Sequence, residues 1–277
     1  MRAMALQDTN RPQDCSRLIA ACVLCAVLLA LLAPAPSAFA AEGESAASGE
    51  SAVAAGATEP GILSKLLHMD VEGLEWDPAV LAEAKATNPD VYAWLYVPGT
   101  NVSHPVLQGG GDEDFYLTHD IFGNESATGE LYSQYTYNTP TFADSVTVVY
   151  GHTFEAYSGL GEEMFSTLHN FEDQAFFDSH PNMYVFVPGA VLKYEIVSAY
   201  VYPNLHVLDG RDFNVKGVAQ AYFDYVANPD SSTKNVRPGD SLVAGKNRIL
   251  QLATCTRPAK DDFRYLVTGV LVDGRPL

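Results

Sequence analysis

The sequence predicts a mainly β domain, a barrel or a sandwich, spanning residues 62–277. Three observations predict it. Short runs rich in Val, Ile, Tyr, Phe and Trp recur through the second half of the chain. Gly and Pro punctuate them at turn positions, as in Pro98-Gly99 and Pro188-Gly189. Helical spacing is confined to a few segments, the best of them lying between two late strands. With 277 residues, 47% of them apolar, and no internal repeat, one large domain is the simplest organisation.

The N-terminal segment reads differently. Arg11 and Arg17 precede an unbroken apolar run at 18–33, and Ala38-Phe39-Ala40 ends it in a small-x-small pattern. Residues 1–40 are therefore a secretory signal cleaved after Ala40, or a retained membrane anchor, because the run is close to the ~17 residues that cross a bilayer as a helix. Either way the short basic end stays inside and the rest of the chain is exported to the outer face of the membrane. Residues 41–61, rich in Ala, Ser, Gly and Glu without apolar period, form a flexible linker.

Along the domain, residues 62–67 have helical spacing. A better helix covers 78–87, with Asp77 as N-cap, Pro78 at the first position and Asn88-Pro89 at the end. Strands are expected at 93–97, 102–106, 129–132, 145–150, 183–187, 192–197, 249–254 and 265–272. A short helix is expected at 162–168. An amphipathic helix at 215–227 gathers Val218, Ala219, Tyr222, Phe223 and Val226 on one face.

The formal net charge of −18 argues against nucleic acid and anionic lipid surfaces as partners. Of the four cysteines, Cys15, Cys22 and Cys25 lie in or beside the export segment, so the domain holds Cys255 alone. A single exported cysteine is either a reactive thiol or an inert buried one. Cys255 closes the apolar run 249–254 and opens a polar loop, which suits a nucleophile held by a strand and open to a cleft. A thiolate needs a cation or a donor nearby. Arg257, Lys260 and Arg264 follow, and Arg264 stands where the next strand begins. A guanidinium there would stabilise a thiolate or an oxyanion, and Arg257 is its rival. His152 ends the run 145–150 through Gly151, and imidazole is the usual partner of a cysteine nucleophile. The other histidines show no tight metal-ligand spacing, so no metal or other cofactor is expected. Gly-x-Ser-x-Gly and phosphate-loop signatures are absent.

These residues resemble the sortase family. Leu252-Ala253-Thr254-Cys255, followed by Arg264, resembles the signature Thr-Leu-x-Thr-Cys with its later Arg, and Tyr150-Gly151-His152 resembles the family's histidine segment. The segments 94–108, 114–119 and 129–132, and the helix before the cysteine strand, are similar to class B members. Gln251 departs from the signature's Thr, and residues 155–161 lengthen the segment after His152. The resemblance implies an eight-stranded barrel with N-terminal helices, acting at a Gram-positive cell surface. Cys255 would cleave a C-terminal sorting motif of secreted proteins through a thioacyl intermediate. His152 would be acid and base, Arg264 would hold the oxyanion, and Thr254 would line the substrate groove. The acceptor would be an amine of peptidoglycan or of a pilin. Two other readings stand beside it: a secreted cysteine peptidase that hydrolyses the intermediate, and a non-catalytic surface module with an inert Cys255.

Overall fold

The computed structural model describes residues 76–276. The expected signal or anchor at 1–40, the linker at 41–61 and the helical stretch at 62–67 lie outside that range. Among the described residues no helix is long and apolar enough to cross a membrane.

The chain enters through helix α1 (Pro78–Thr87). The Asp77 carboxylate accepts from the Ala79 N–H at 2.8 Å, capping it as expected, and Leu81 and Ala84 face inward. Among the described residues nine strands follow: β1 (Val91–Tyr96), β2 (Ser103–Leu107), β3 (Leu131–Tyr132), β4 (Val146–Tyr150), β5 (Asn182–Val187), β6 (Ala190–Pro203), β7 (Lys234–Val236), β8 (Ile249–Cys255) and β9 (Phe263–Pro276). They hydrogen-bond in the order β5-β1-β2-β3-β4-β8-β9-β6, and β5 pairs again with β6 to close an eight-stranded barrel, with β7 appended to β6. Closure leaves no open edge among those eight. The β5–β6 hairpin turns through Pro188-Gly189, where Gly189 has φ +77°.

Alternation along the strands sorts side chains between two cores. Ala93, Leu95, Val106, Leu250, Leu252 and Val267 fill the barrel. Val148, Tyr150, Ile249, Ala253 and Leu266 face outward, covered by helix α3 (Lys216–Ala227) and the segment leading to it. α3 buries Ala219, Tyr222, Phe223 and Val226, the face its periodicity predicts.

The structure departs from expectation in three places. The helix expected at 162–168 is instead a 3-10 run, Ser166–Glu172, because Met164 has φ +49°, outside any α-helical path. Helix α2 (Gln174–Ser179) was not expected, although Asp173 caps it through the Phe176 N–H at 2.8 Å. Strand β7 has no alternating pattern. It is a strand because β6 offers it backbone partners, Ser198 opposite Val236 and Tyr200 opposite Lys234.

Candidate active site

Register brings the residues singled out in the sequence to one level. β4 and β8 are parallel, with Tyr150 opposite Ala253, and the Gly151 N–H continues the pairing to the Ala253 carbonyl at 3.3 Å. Two residues further along each chain, His152 stands level with Cys255. β8 and β9 are antiparallel, with Cys255 directly opposite Arg264. Parity sets the side: Cys255 shares the face of Ala253, His152 that of Tyr150, and Arg264 that of Leu266, all on the outer wall of the barrel. His152, Thr254, Cys255 and Arg264 line one pocket, which Leu117 and the segment 202–207 complete.

Cys255 is half-buried at the end of β8. The structure records it in a disulfide, and the thiolate chemistry considered below is that of the reduced residue.

His152 is buried, and its Nε2–H donates to the Leu117 carbonyl at 2.7 Å. That bond fixes the tautomer and leaves Nδ1 as the nitrogen with the lone pair. Burial pulls its pKa below the usual histidine value, against the Leu117 bond, so the ring is neutral near pH 7. Two glycines make the arrangement possible. A Cβ at Gly151 would fall inside the side chains of Leu131 and Phe165. Gly129, at φ +56°, lies with its Cα hydrogens against the carbonyls of Tyr116 and Leu117, which any larger residue would displace.

Arg264 is buried, and its Nη1 donates to the carbonyls of Phe263 at 2.9 Å and Asp261 at 3.3 Å. Its rival is engaged elsewhere. Arg257 donates through Nε and Nη2 to the Phe154 carbonyl (3.1 and 2.6 Å) and through Nη2 to that of Gly161 (2.7 Å). Together with the Ala259 N–H on Glu155 Oε1 at 3.0 Å, it fastens the insertion 155–161 onto the β8–β9 loop. Thr254 has its hydroxyl turned to the architecture. It donates to the Gly151 carbonyl and accepts from Thr153 Oγ1, both at 2.7 Å.

A second histidine, His206, reaches the same pocket, and sequence reasoning did not select it. Its Nε2–H donates to Gln134 Oε1 at 2.7 Å, and its Nδ1 accepts from the N–H groups of Leu208 and Asp209. With both nitrogens occupied it is a poor base and serves to hold the wall. The Leu117 carbonyl was equally illegible, since a backbone oxygen distant in sequence carries no residue-type signal.

No family model matches the chain. Over 200 residues it is 28% identical to sortase B of Listeria monocytogenes, an alignment covering 69% of this chain and 74% of that protein. The crystal structure of Clostridium perfringens sortase B superposes with a TM-score of 0.57 at 26% identity, covering 69% of this chain and 99% of that one. A Streptococcus pyogenes class B sortase involved in pilus biogenesis superposes with a TM-score of 0.56, also at 26% identity, covering 69% and 97%. Barrel, strand order and these likenesses define an enzyme of the cysteine transpeptidase kind. These likenesses support a sortase of class B.

Proposed function

We propose that Cys255 is the nucleophile of a transpeptidation that cleaves a sorting motif near the C-terminus of secreted proteins. The observation that carries this is the meeting of His152, Cys255 and Arg264 at one level of three neighbouring strands, in one pocket. His152 Nδ1 takes the thiol proton. The thiolate adds to the scissile carbonyl, and the tetrahedral oxyanion is stabilised by the Arg264 guanidinium and the Thr256 N–H. The C–N bond breaks as His152 returns its proton to the departing amine, leaving a thioester on Cys255. An incoming amine then attacks, giving its proton to His152, and the C–S bond breaks with Cys255 as leaving group. Thr254 contributes a groove wall, and its hydroxyl holds the β4 exit that carries His152. The neutral state of His152 suits a group that must first accept a proton.

The enzyme acts at the outer face of the membrane, held there by residues 1–40 if they are retained. Its acceptor is an amine of peptidoglycan or of a pilin, and the pilus role of the Streptococcus relative makes a pilin lysine one arm of the test. Reduced protein is incubated with sorting peptides, including motifs that open with Asn-Pro, with and without peptidoglycan-type and lysine amines. Mass spectrometry follows products and the acyl adduct, with Cys255→Ala as control. Amine-dependent ligation lost in the control supports transpeptidation. Hydrolysis indifferent to every amine favours the peptidase, and absence of any adduct together with resistance to alkylation favours the non-catalytic module.

A further inference from the structure

His152 and Cys255 sit past the end of the ladder that aligns them. Backbone pairing between β4 and β8 runs as far as the Gly151 N–H on the Ala253 carbonyl at 3.3 Å. Parallel strands stay level while their N–H and C=O groups are paired, and beyond the last pair their separation is set by the side chains that link them. The spacing of the two residues therefore rests on such links.

The links fall on two sides of the pair. On the near side, Thr254 Oγ1 donates to the Gly151 carbonyl and accepts from Thr153 Oγ1, both at 2.7 Å. On the far side, Arg257, two residues past Cys255, reaches Phe154, two residues past His152. Its Nε and Nη2 both donate to the Phe154 carbonyl, at 3.1 and 2.6 Å. The Ala259 N–H on Glu155 Oε1 at 3.0 Å repeats the crossing further out.

The other anchors of these segments lead elsewhere. The His152 carbonyl accepts from the Phe165 N–H at 2.9 Å, and the Phe154 N–H donates to Ser166 Oγ at 2.9 Å. Both tie the exit of β4 to the start of the 3-10 run Ser166–Glu172. The loop leaving Cys255 is fastened to itself by the Lys260 N–H on Thr256 Oγ1 at 3.0 Å. Arg257 joins these two separately anchored pieces. Phe154 carries the effect inward, because its buried ring lies 5.5 Å from that of His152, centroid to centroid.

Arg257 also closes the insertion 155–161. Gly161 packs against the Ala156 backbone, and Arg257 Nη2 donates to the Gly161 carbonyl at 2.7 Å as well as to that of Phe154, so one guanidinium sits at the neck of this loop. A planar guanidinium presents several N–H donors in a fixed fork and can hold two carbonyls at once, whereas a lysine ammonium is a compact point charge.

We propose that Arg257 is a positioning residue for the His152–Cys255 pair: its fork couples the exits of β4 and β8 beyond the reacting residues and makes the insertion 155–161 part of the same brace. This rests on Cys255 being the nucleophile and His152 its base. Arg257 acts through His152 and makes no bond to the substrate. Without the fork, the Phe154 peptide is freed from the β8–β9 loop, and the imidazole moves relative to the sulfur.

The test uses the full chain, reduced, as Arg257→Lys, Arg257→Ala, His152→Ala and the double variant His152→Ala with Arg257→Lys, each confirmed folded by urea denaturation. Arg257→Lys keeps the charge and loses the fork. Alkylation of Cys255 at neutral pH needs no substrate, and it should slow about five-fold or more in Arg257→Lys and at least as much in Arg257→Ala. In the His152→Ala background the lysine should change alkylation by less than about two-fold, because a residue that acts through His152 then has nothing to position. With a working sorting peptide, kcat should fall about ten-fold in Arg257→Lys with KM within about two-fold of wild type. Wild-type alkylation in Arg257→Lys overturns the proposal, since charge alone would then suffice, and this arm decides even if Arg257→Ala does not fold. Equal slowing with and without His152 also overturns it, being the mark of a general loss of structure. A His152→Ala protein that alkylates as fast as wild type sinks the pairing of His152 with Cys255, and the proposal with it. A wild type that alkylates in the expected pattern but never acylates would sink the transpeptidase reading and leave the brace standing.

Discussion

Replacing Thr254 by Val tests whether the groove residue beside the cysteine serves the substrate or the architecture. Thr254 is 3% exposed, and valine has nearly its shape, so no cavity opens. What changes is the hydroxyl. The Gly151 carbonyl loses its 2.7 Å donor, and Thr153 Oγ1 loses its 2.7 Å acceptor. Thr153 is half-buried and can turn to water, whereas Gly151 is buried. The penalty is therefore dominated by one unsatisfied carbonyl, about 1–3 kcal/mol. A domain with the usual stability of roughly 5–15 kcal/mol remains folded after that loss. The Gly151 carbonyl belongs to the peptide that leads into His152, so its release lets the imidazole drift from Cys255. Displacements of about 1 Å at a reacting group lower rates by up to ~100-fold. The expected result is a kcat reduced about ten- to a hundred-fold with KM nearly constant, and recovery in Thr254→Ser, which keeps both bonds. The assay is steady-state transpeptidation alongside urea denaturation. A raised KM with kcat intact would show that the side chain binds substrate instead, and the positional argument would fail.

Three further outcomes are expected. Gln251→Leu should destabilise the domain by about 2–4 kcal/mol in urea denaturation, because the buried amide donates to Tyr200 Oη at 3.0 Å and Thr268 Oγ1 at 2.9 Å and accepts from Tyr222 of α3; a shift below about 0.5 kcal/mol would refute this reading of the network. Gly129→Ala, at φ +56° and pressed on the Leu117 carbonyl, should lower kcat and cost at least ~1 kcal/mol, since the turn holding the His152 acceptor must move; wild-type kinetics would contradict it. Burial pushes the Glu130 carboxyl up to about 7 from 4.5, so the folded state holds its proton more tightly than the unfolded chain, and this contribution to stability is full below about pH 4.5 and lost as pH rises through 7. Glu130→Gln should therefore gain about 1–2 kcal/mol over wild type near pH 8, after allowance for its partial exposure, and nothing near pH 4; an equal gain at both pH values would refute the titration argument.

Much of the fold was open to reading because its signals are local. Runs of β-branched and aromatic residues, Asp77 before Pro78, and the turn pair Pro188-Gly189 depend on a few neighbouring residues. They placed most strands and both long helices within a few residues. Cys255, His152 and Arg264 stood out for the same reason, each at the boundary of a strand-like run. What failed locally was overridden from a distance. Lys234–Val236 became a strand through the exposed side of β6, and Met164 took a left-handed backbone where a helix was expected.

The sequence by itself determined the residue types available for chemistry and the elements that carry them. Only the tertiary structure decided that His152, Cys255 and Arg264 share one level and one face, and that Arg257 is taken up by the carbonyls of Phe154 and Gly161. The reason is physical. Strand pattern has a period of two residues and is written in every segment, whereas register between β4, β8 and β9 is set by packing and backbone pairing across about a hundred residues of chain. A slip of one residue would turn the cysteine to the opposite wall without altering the composition of any strand.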